Sequence, residues 1–215
     1  MTESPSSPFR LSHYQTFCMR IFECETKLAW GQLDLPVMGM DTDWYGVTLH
    51  PPLCFTIASD SSSLWFVATR QAPATCRPGA EPGSFTEGLW EYDVAELFLA
   101  NPTCGAYLEF NLAPNGAWWA AKFDAPRVRA AKQSDFPSIV TSHRGDPSDE
   151  AWCAAIRVPL AFLATEIGFG EKTTANVTAI LNSPLQTFHS AHKLPGADPD
   201  FHQPASFGCF SRVPL

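Results

Sequence analysis

Tyr107-Leu108-Glu109-Phe110-Asn111-Leu112-Ala113-Pro114-Asn115-Gly116-Ala117-Trp118-Trp119-Ala120-Ala121-Lys122-Phe123 reads as two short β-strands joined by a tight reversal. On the first arm Leu108, Phe110 and Leu112 alternate with Glu109 and Asn111. That is the period-2 signature of a strand with one buried face. Asn-Gly suits a two-residue type I′ turn, whose central residues both take positive φ. Counting outward from Asn115-Gly116 predicts Leu112 opposite Trp119, Phe110 opposite Ala121 and Leu108 opposite Phe123, all on the apolar side. The other side is expected to carry Asn111 opposite Ala120 and Glu109 opposite Lys122, with Trp118 nearer the turn.

The preceding stretch repeats the split. In Trp90-Glu91-Tyr92-Asp93-Val94-Ala95-Glu96-Leu97-Phe98-Leu99, one side holds Ala95, Leu97 and Leu99, and the other Glu96 and Phe98. By parity Trp90 and Tyr92 join Glu96 unless a bulge intervenes. Pairing the two strands would gather Trp90, Glu96, Glu109, Asn111 and Trp118 on one surface. Flat rings among carboxylates and an amide suit a sugar, whose C–H face packs on an indole while its hydroxyls bond to the polar groups.

The rest of the chain has the same texture. Nineteen prolines and thirteen glycines punctuate short runs rich in Val, Ile, Phe and Trp, as in an all-β domain. Strands are expected at 28–35, 53–58, 64–69, 90–99, 107–112, 118–123, 139–143, 151–159, 175–182 and 209–213, with one helical turn at 160–165. No internal repeat is visible. The 215 residues, 45% of them apolar, fit a single antiparallel β-sandwich of immunoglobulin or jelly-roll type with little helix. It is expected over 11–215, behind a flexible Ser/Pro-rich start at 1–10.

A formal charge of −8 with no run of Lys or Arg argues against nucleic acid and anionic membranes as partners. No stretch approaches the ~18 consecutive apolar residues of a membrane helix. The first residues lack the basic and apolar regions of a signal peptide. The seven cysteines, an odd number without a Cys-x-x-Cys pair, read as reduced thiols. A cytoplasmic location is the expectation, and it favours a small sugar, nucleotide sugar or cell-wall precursor over a polysaccharide. The oligomeric state is left open.

Three groups of residues carry a family resemblance. They are Leu89-Trp90-Glu91-x-Asp93-x-x-Glu96-Leu97-Phe98-Leu99, then Tyr107-x-Glu109-Phe110-Asn111-x-x-Pro114-Asn115-Gly116-x-Trp118, then Pro195-Gly196-x-x-Pro199-Asp200-Phe201-His202-x-Pro204-x-x-Phe207-Gly208. With Trp152 and Val158-Pro159-Leu160 between the last two, the set resembles family 9 carbohydrate-binding modules and DOMON-like domains. The resemblance implies a β-sandwich of roughly ten strands, with sugar or haem as ligand types. It also implies roles. Trp90, six residues before Glu96, would form one wall of an aromatic slot, with Glu96 and Asn111 bonding sugar hydroxyls. Glu109 stands where the sugar binders carry an Arg, and Phe188-His189-Ser190 where they place the second wall, with His189 in the Trp position.

Other readings compete. Glu109 could be a solvated strand residue paired with Lys122. His189, His192 and His202, with Asp198 and Asp200, could hold Zn²⁺ or Fe²⁺ for a metal-dependent enzyme. Their spacing matches no metalloenzyme signature, so the expectation is that they lock a loop. Glu96 and Glu109 on neighbouring strands would suit glycoside hydrolysis, but an open sheet lacks the cleft that raises one acid's pKa. Haem would need Met38 or Met40 with a C-terminal histidine, and it is not expected. A structural Ca²⁺ is left open. An exposed aromatic face could also dock a protein. The reading is a non-catalytic module for a small saccharide, with Trp90, Glu96, Glu109, Asn111, Trp118, Phe188 and His189 as its contacts.

Overall fold

Apolar alternation builds the strands, and side chains cover both faces of most of them. The computed structural model describes residues 19–133, 136 and 139–215. The expected flexible start at 1–10 lies outside the described residues, as do Met1 and Cys18. The first strands are β1 (Met19–Glu23), β2 (Met38–Thr42), β3 (Thr48–Ser59) and β4 (Ser63–Arg70). A single 3₁₀ turn at Leu89–Glu91 leads into β5 (Val94–Ala100), β6 (Tyr107–Leu112), β7 (Trp118–Ala125) and β8 (Val128–Arg129). Then come β9 (Val140–Arg144), β10 (Trp152–Pro159), helix α1 (Leu160–Ile167), β11 (Thr174–Leu181), β12 (Thr187–Ser190) and β13 (Gly208–Pro214).

The strands join in the order β8-β7-β6-β5-β11-β13-β1-β3-β4-β10-β9, with β12 on β11 and β2 on β3. β13 is where the sheet turns over: Gly208 and Cys209 pair with β11, while Phe210 to Pro214 run beside β1. The two halves thus face each other as a β-sandwich. β1 pairs in parallel with both β13 and β3, a local exception in the otherwise antiparallel sandwich that had been expected. No strand had been expected at β1, β2 or β12. Residues 28–35, expected as a strand, instead form a non-strand strap whose Leu33 and Leu35 are buried.

Between the halves lies the main core. It packs Leu97, Leu99, Phe110 and Leu112 against Phe55, Ile57, Phe66 and Trp152. Each fully buried side chain of this size contributes about 1.5–3 kcal/mol relative to leaving it in water. Met40 belongs to this core and Met38 packs against it. Helix α1 adds Leu163 and Ile167, begins after Pro159, and ends where left-handed Gly168 donates its N–H to the Ala164 and Leu163 carbonyls.

The β6–β7 hairpin corrects the expected register. Only Gly116 in the turn has positive φ. Gly116 N–H bonds the Ala113 carbonyl, and Ala113 N–H bonds that of Ala117, each at 2.9 Å. This is a three-residue loop in which a type I turn is followed by a left-handed glycine. The extra residue shifts the pairing by one: Leu112 faces Trp118, Asn111 faces Trp119, Glu109 faces Ala121, and Leu108 faces Lys122. Because side chains alternate, a one-residue slip exchanges the faces. Trp118 therefore enters the main core, and Trp119 moves to the outer face. Lys122 pairs with Glu166 at 3.3 Å, not with Glu109.

Candidate ligand-binding site

One row of side chains crosses the outer face of the second half from β7 to β12. Trp119 lies opposite Asn111, Asn111 opposite Glu96, Glu96 opposite Thr178, and Thr178 opposite Ser190. The next row holds Ala121, Glu109, Phe98 and Asn176. Strands buried on both sides would ordinarily be apolar throughout. Here the outer positions are instead carboxylates, amides and hydroxyls under an aromatic cover.

Over these rows sits a cavity of about 370 Å³, at the small end of the range for ligand pockets. Trp90 and Trp119 meet edge to face at 5.0 Å, and Phe188 and Phe201 form a tilted pair at 6.2 Å. Trp119 stands on β7 and Phe188 on β12, on either side of the β6, β5 and β11 strands, so the acids lie between aromatic walls. Arg129 stacks 4.8 Å over the Trp119 ring and pairs with Glu87 at 2.7 Å. Arg127 pairs with Asp200 at 2.9 Å. His202 also lines the cavity, and with Asp200 it borders a neighbouring groove of about 1020 Å³.

Trp90 reaches the cavity from the 3₁₀ turn rather than from a strand, because β5 begins only at Val94. Asp93 fixes this entry, accepting hydrogen bonds from the Thr75 N–H (3.2 Å) and the Ser183 N–H (2.8 Å). Gln186 holds the Trp90 carbonyl at 3.0 Å. The short turn takes the place of the parity argument and leaves Trp90 on the face that parity had indicated. Tyr92, assigned there by the same argument, does not line the cavity.

The floor is electrostatically unusual. Glu96 is 2% exposed and Glu109 4%. Glu96 accepts a 2.6 Å hydrogen bond from the Thr178 hydroxyl. Burial raises its pKa, and that one donor only partly opposes the rise. Burial also raises the pKa of Glu109, the charge of Glu96 raises it further, and Asn111, Arg129 and Arg127 pull weakly the other way. Asn111 is fully buried beside them; its N–H₂ approaches Glu109 closely enough to favour the carboxylate but short of good hydrogen-bond geometry, and its amide oxygen has no partner.

His202 is held neutral. Burial and Arg127 push its pKa down to about 4. Tyr107 Oη accepts from the Arg127 N–H at 3.1 Å, so its own proton can be donated to His202 Nδ1 at 2.7 Å. Burial pushes the Tyr107 hydroxyl up to about 12, which keeps that proton in place. His202 Nε2 then carries the ring proton toward Glu109, 3.9 Å away. With a neutral imidazole this contact is a dipole facing a carboxyl rather than an ion pair.

Of the sequence-derived contacts, Trp90, Glu96, Glu109 and Phe188 line the cavity, and Asn111 lies beneath it. Trp118 and His189 do not. Trp118 is in the main core with its indole N–H on the Gly83 carbonyl. His189 points away from Phe188 because neighbours on a strand alternate. It is 1% exposed, with Nδ1 on the Thr42 carbonyl at 3.0 Å and Nε2 by the Thr187 hydroxyl at 2.8 Å. The three histidines do not converge, and among the described residues no group of three or more His, Cys, Asp or Glu is placed to hold a metal. Asp200 does lock its loop, accepting from the His202 N–H at 3.0 Å. The assumption of an open sheet is also corrected, since the acids lie in a cleft.

Trp119, Arg127 and Arg129 were missed. The signal for Trp119 was Ala113-Pro114-Asn115-Gly116, with proline second and glycine fourth, which marks a type I turn. No local signal announces the arginines.

Comparison with known proteins gives relatives and a fold. No family model matches the chain. Proteins named "UPF0462 protein C4orf33 homolog" align over 141 residues, or 62% of this chain: 26% identical in Rattus norvegicus and Danio rerio, 29% in Mus musculus. The chain spans 66% of the rat and zebrafish proteins, just under two thirds of their length. Among solved structures, a proposed carbohydrate-binding protein of Bacteroides uniformis superposes with TM-score 0.65 at 16% identity, covering 90% of this chain and 99% of that one. A family 9 carbohydrate-binding module from Caldicellulosiruptor kristjanssonii matches in complex with cellotriose (TM-score 0.57, 12% identity, 91% and 94% covered) and with glucose (0.56, 14%, 91% and 96%). The chain shares with these structures the fold of family 9 carbohydrate-binding modules.

Proposed function

We propose that this protein is a non-catalytic binding module for a small saccharide or sugar-containing metabolite, held between Trp90/Trp119 and Phe188/Phe201. The observation that carries the reading is a pair of buried carboxyls with spare acceptor capacity on the floor of an aromatic-walled cavity. Sugar hydroxyls are donors that a carboxylate accepts bidentately, and sugar C–H faces pack on indole. The solved neighbours that bind cellotriose and glucose share this fold, which supports the choice of ligand class. Hydrolysis is disfavoured because it needs two acids whose environments push their pKa values apart. Glu96 and Glu109 are both pushed upward.

The test is titration with a panel of mono- and disaccharides while tryptophan fluorescence is followed. Quenching by at least one sugar is expected, abolished in Trp90→Ala and weakened in Glu96→Gln. A flat response across the panel overturns the proposal.

A further inference from the structure

Charge accounting around the cavity carries the ligand class further. Arg127 is committed to Asp200 and Arg129 to Glu87. His202 is neutral, its Nδ1 occupied by the Tyr107 hydroxyl. Among the described residues, no Lys or Arg nitrogen lies within ion-pair distance of Glu96 or Glu109; the nearest basic atom is His202 Nε2, 3.9 Å from Glu109. Two carboxyls on adjacent strands thus share a buried floor with no directly paired Lys or Arg among the described residues, and Arg127 and Arg129 act on Glu109 only from beyond ion-pair distance. Beside them lies the fully buried Asn111 amide, whose N–H₂ reaches Glu109 only in poor geometry and whose oxygen has no partner, on the same row as Glu96. A buried acid pair of this kind is costly unless something neutralises it. A neutral sugar supplies hydroxyl donors but no charge. The aromatic walls suit both a sugar's C–H face and a cation, since indole faces attract ammonium groups.

We infer that the preferred ligand is a saccharide carrying a free primary amine, with its ammonium between Glu96 and Glu109 and its ring between the aromatic walls. This deepens the proposed function and rests on it. An ammonium offers three donors, enough to reach both carboxyls and the Asn111 amide oxygen. Its arrival also favours the ionised carboxyls, so any proton they hold passes to the buffer. N-Acetylation removes the charge, and the analogue then has no advantage over the neutral sugar.

The experiment is calorimetric and fluorescence titration of the full chain at neutral pH with D-glucosamine, D-glucose, N-acetyl-D-glucosamine and ethanolamine. Charge-assisted hydrogen bonds predict that glucosamine binds about tenfold or more tightly than glucose and N-acetylglucosamine. They also predict that Glu109→Gln and Glu96→Gln each narrow the glucosamine-to-glucose ratio. On the unmodified protein, glucosamine heats should differ between phosphate and Tris buffers, and glucose heats should not. Glucose binding as tightly as glucosamine, or buffer-independent glucosamine heats, overturns the inference and leaves the saccharide reading standing. Ethanolamine binding as tightly as glucosamine overturns the sugar half of the inference. Silence across all four probes and the wider panel removes the saccharide reading itself.

Discussion

The outer face of the β3–β4–β10 half and that of the β5–β6–β7–β11 half each bury a tryptophan and acidic side chains, yet they end differently. On the first, Trp65 packs with Phe22, Ala58 and Val67 under Leu33 and Leu35 of the 28–35 strap, and the face is closed. Asp60 at its edge accepts hydrogen bonds from the backbone N–H groups of Leu28, Ser62 and Ser63 and from the Ser62 hydroxyl. Burial opposes its ionisation, but those donors together outweigh burial and hold its pKa below the usual value. On the second face, Glu96 has one hydroxyl donor, and the pKa values of Glu96 and Glu109 rise. A buried tryptophan is therefore no mark of a site. The mark is a buried acid whose hydrogen-bonding capacity the chain itself leaves unused.

Substitutions can break this contrast. Trp65→Ala should have the largest effect, lowering the unfolding free energy by about 3–5 kcal/mol in urea denaturation, with saccharide affinity of the folded fraction unchanged. A fall in affinity would show that the sealed face takes part in binding. Asp60→Ala should cost about 1–3 kcal/mol, since it strands the buried Ser63 N–H and the partly buried Leu28 N–H. Because Asp60 is held below its unfolded value, its contribution is present above the ordinary carboxylate range and is lost as pH falls through the lowered value. The variant should therefore lose less stability on acidification than the parent does.

Glu109→Gln should move the other way. A carboxyl with a raised pKa contributes stability that is complete below its unfolded value and lost as pH rises through the folded value. Melting temperatures across a pH series should fall from mildly acidic to alkaline conditions in the parent. They should fall less in Glu109→Gln, a difference on the order of 1 kcal/mol at the alkaline end. A steeper alkaline loss in the variant would contradict the raised pKa. His202→Leu should act on the opposite, acid side of the series. Its depressed pKa, about 4 against 6.5, means stability present above 6.5 and lost as pH falls toward 4. Removing the ring should flatten the acid side of the same series, and an unaltered acid slope would show that His202 is not held neutral.

Legibility followed the range of the interactions. β6 and β7 could be read from local alternation, and β3, β4, β10 and β11 from short apolar runs bounded by turn residues. β1, only five residues long, pairs in parallel with strands distant in sequence, so no short-range turn signal marks it. The strap at 28–35 has a strand's apolar content, but it covers a face instead of joining a ladder. Within the site, Glu96, Glu109, Asn111 and Phe188 were legible from alternation and motif spacing. Trp118 and Trp119 exchanged places because the turn carries one more residue than the Asn-Gly pair suggested.

By itself the sequence determined which residue types alternate, and hence that β5 and β6 carry acids and an amide on the side away from their leucines. Alternation is a property of each strand, independent of what packs above it. Only the tertiary structure decided that those acids are buried, walled by Trp119 from β7 and Phe188 from β12, and without a Lys or Arg partner among the described residues. Burial and charge pairing depend on segments far apart in the chain, such as the Arg127–Asp200 ion pair at the cavity wall. No local pattern encodes distances of that kind.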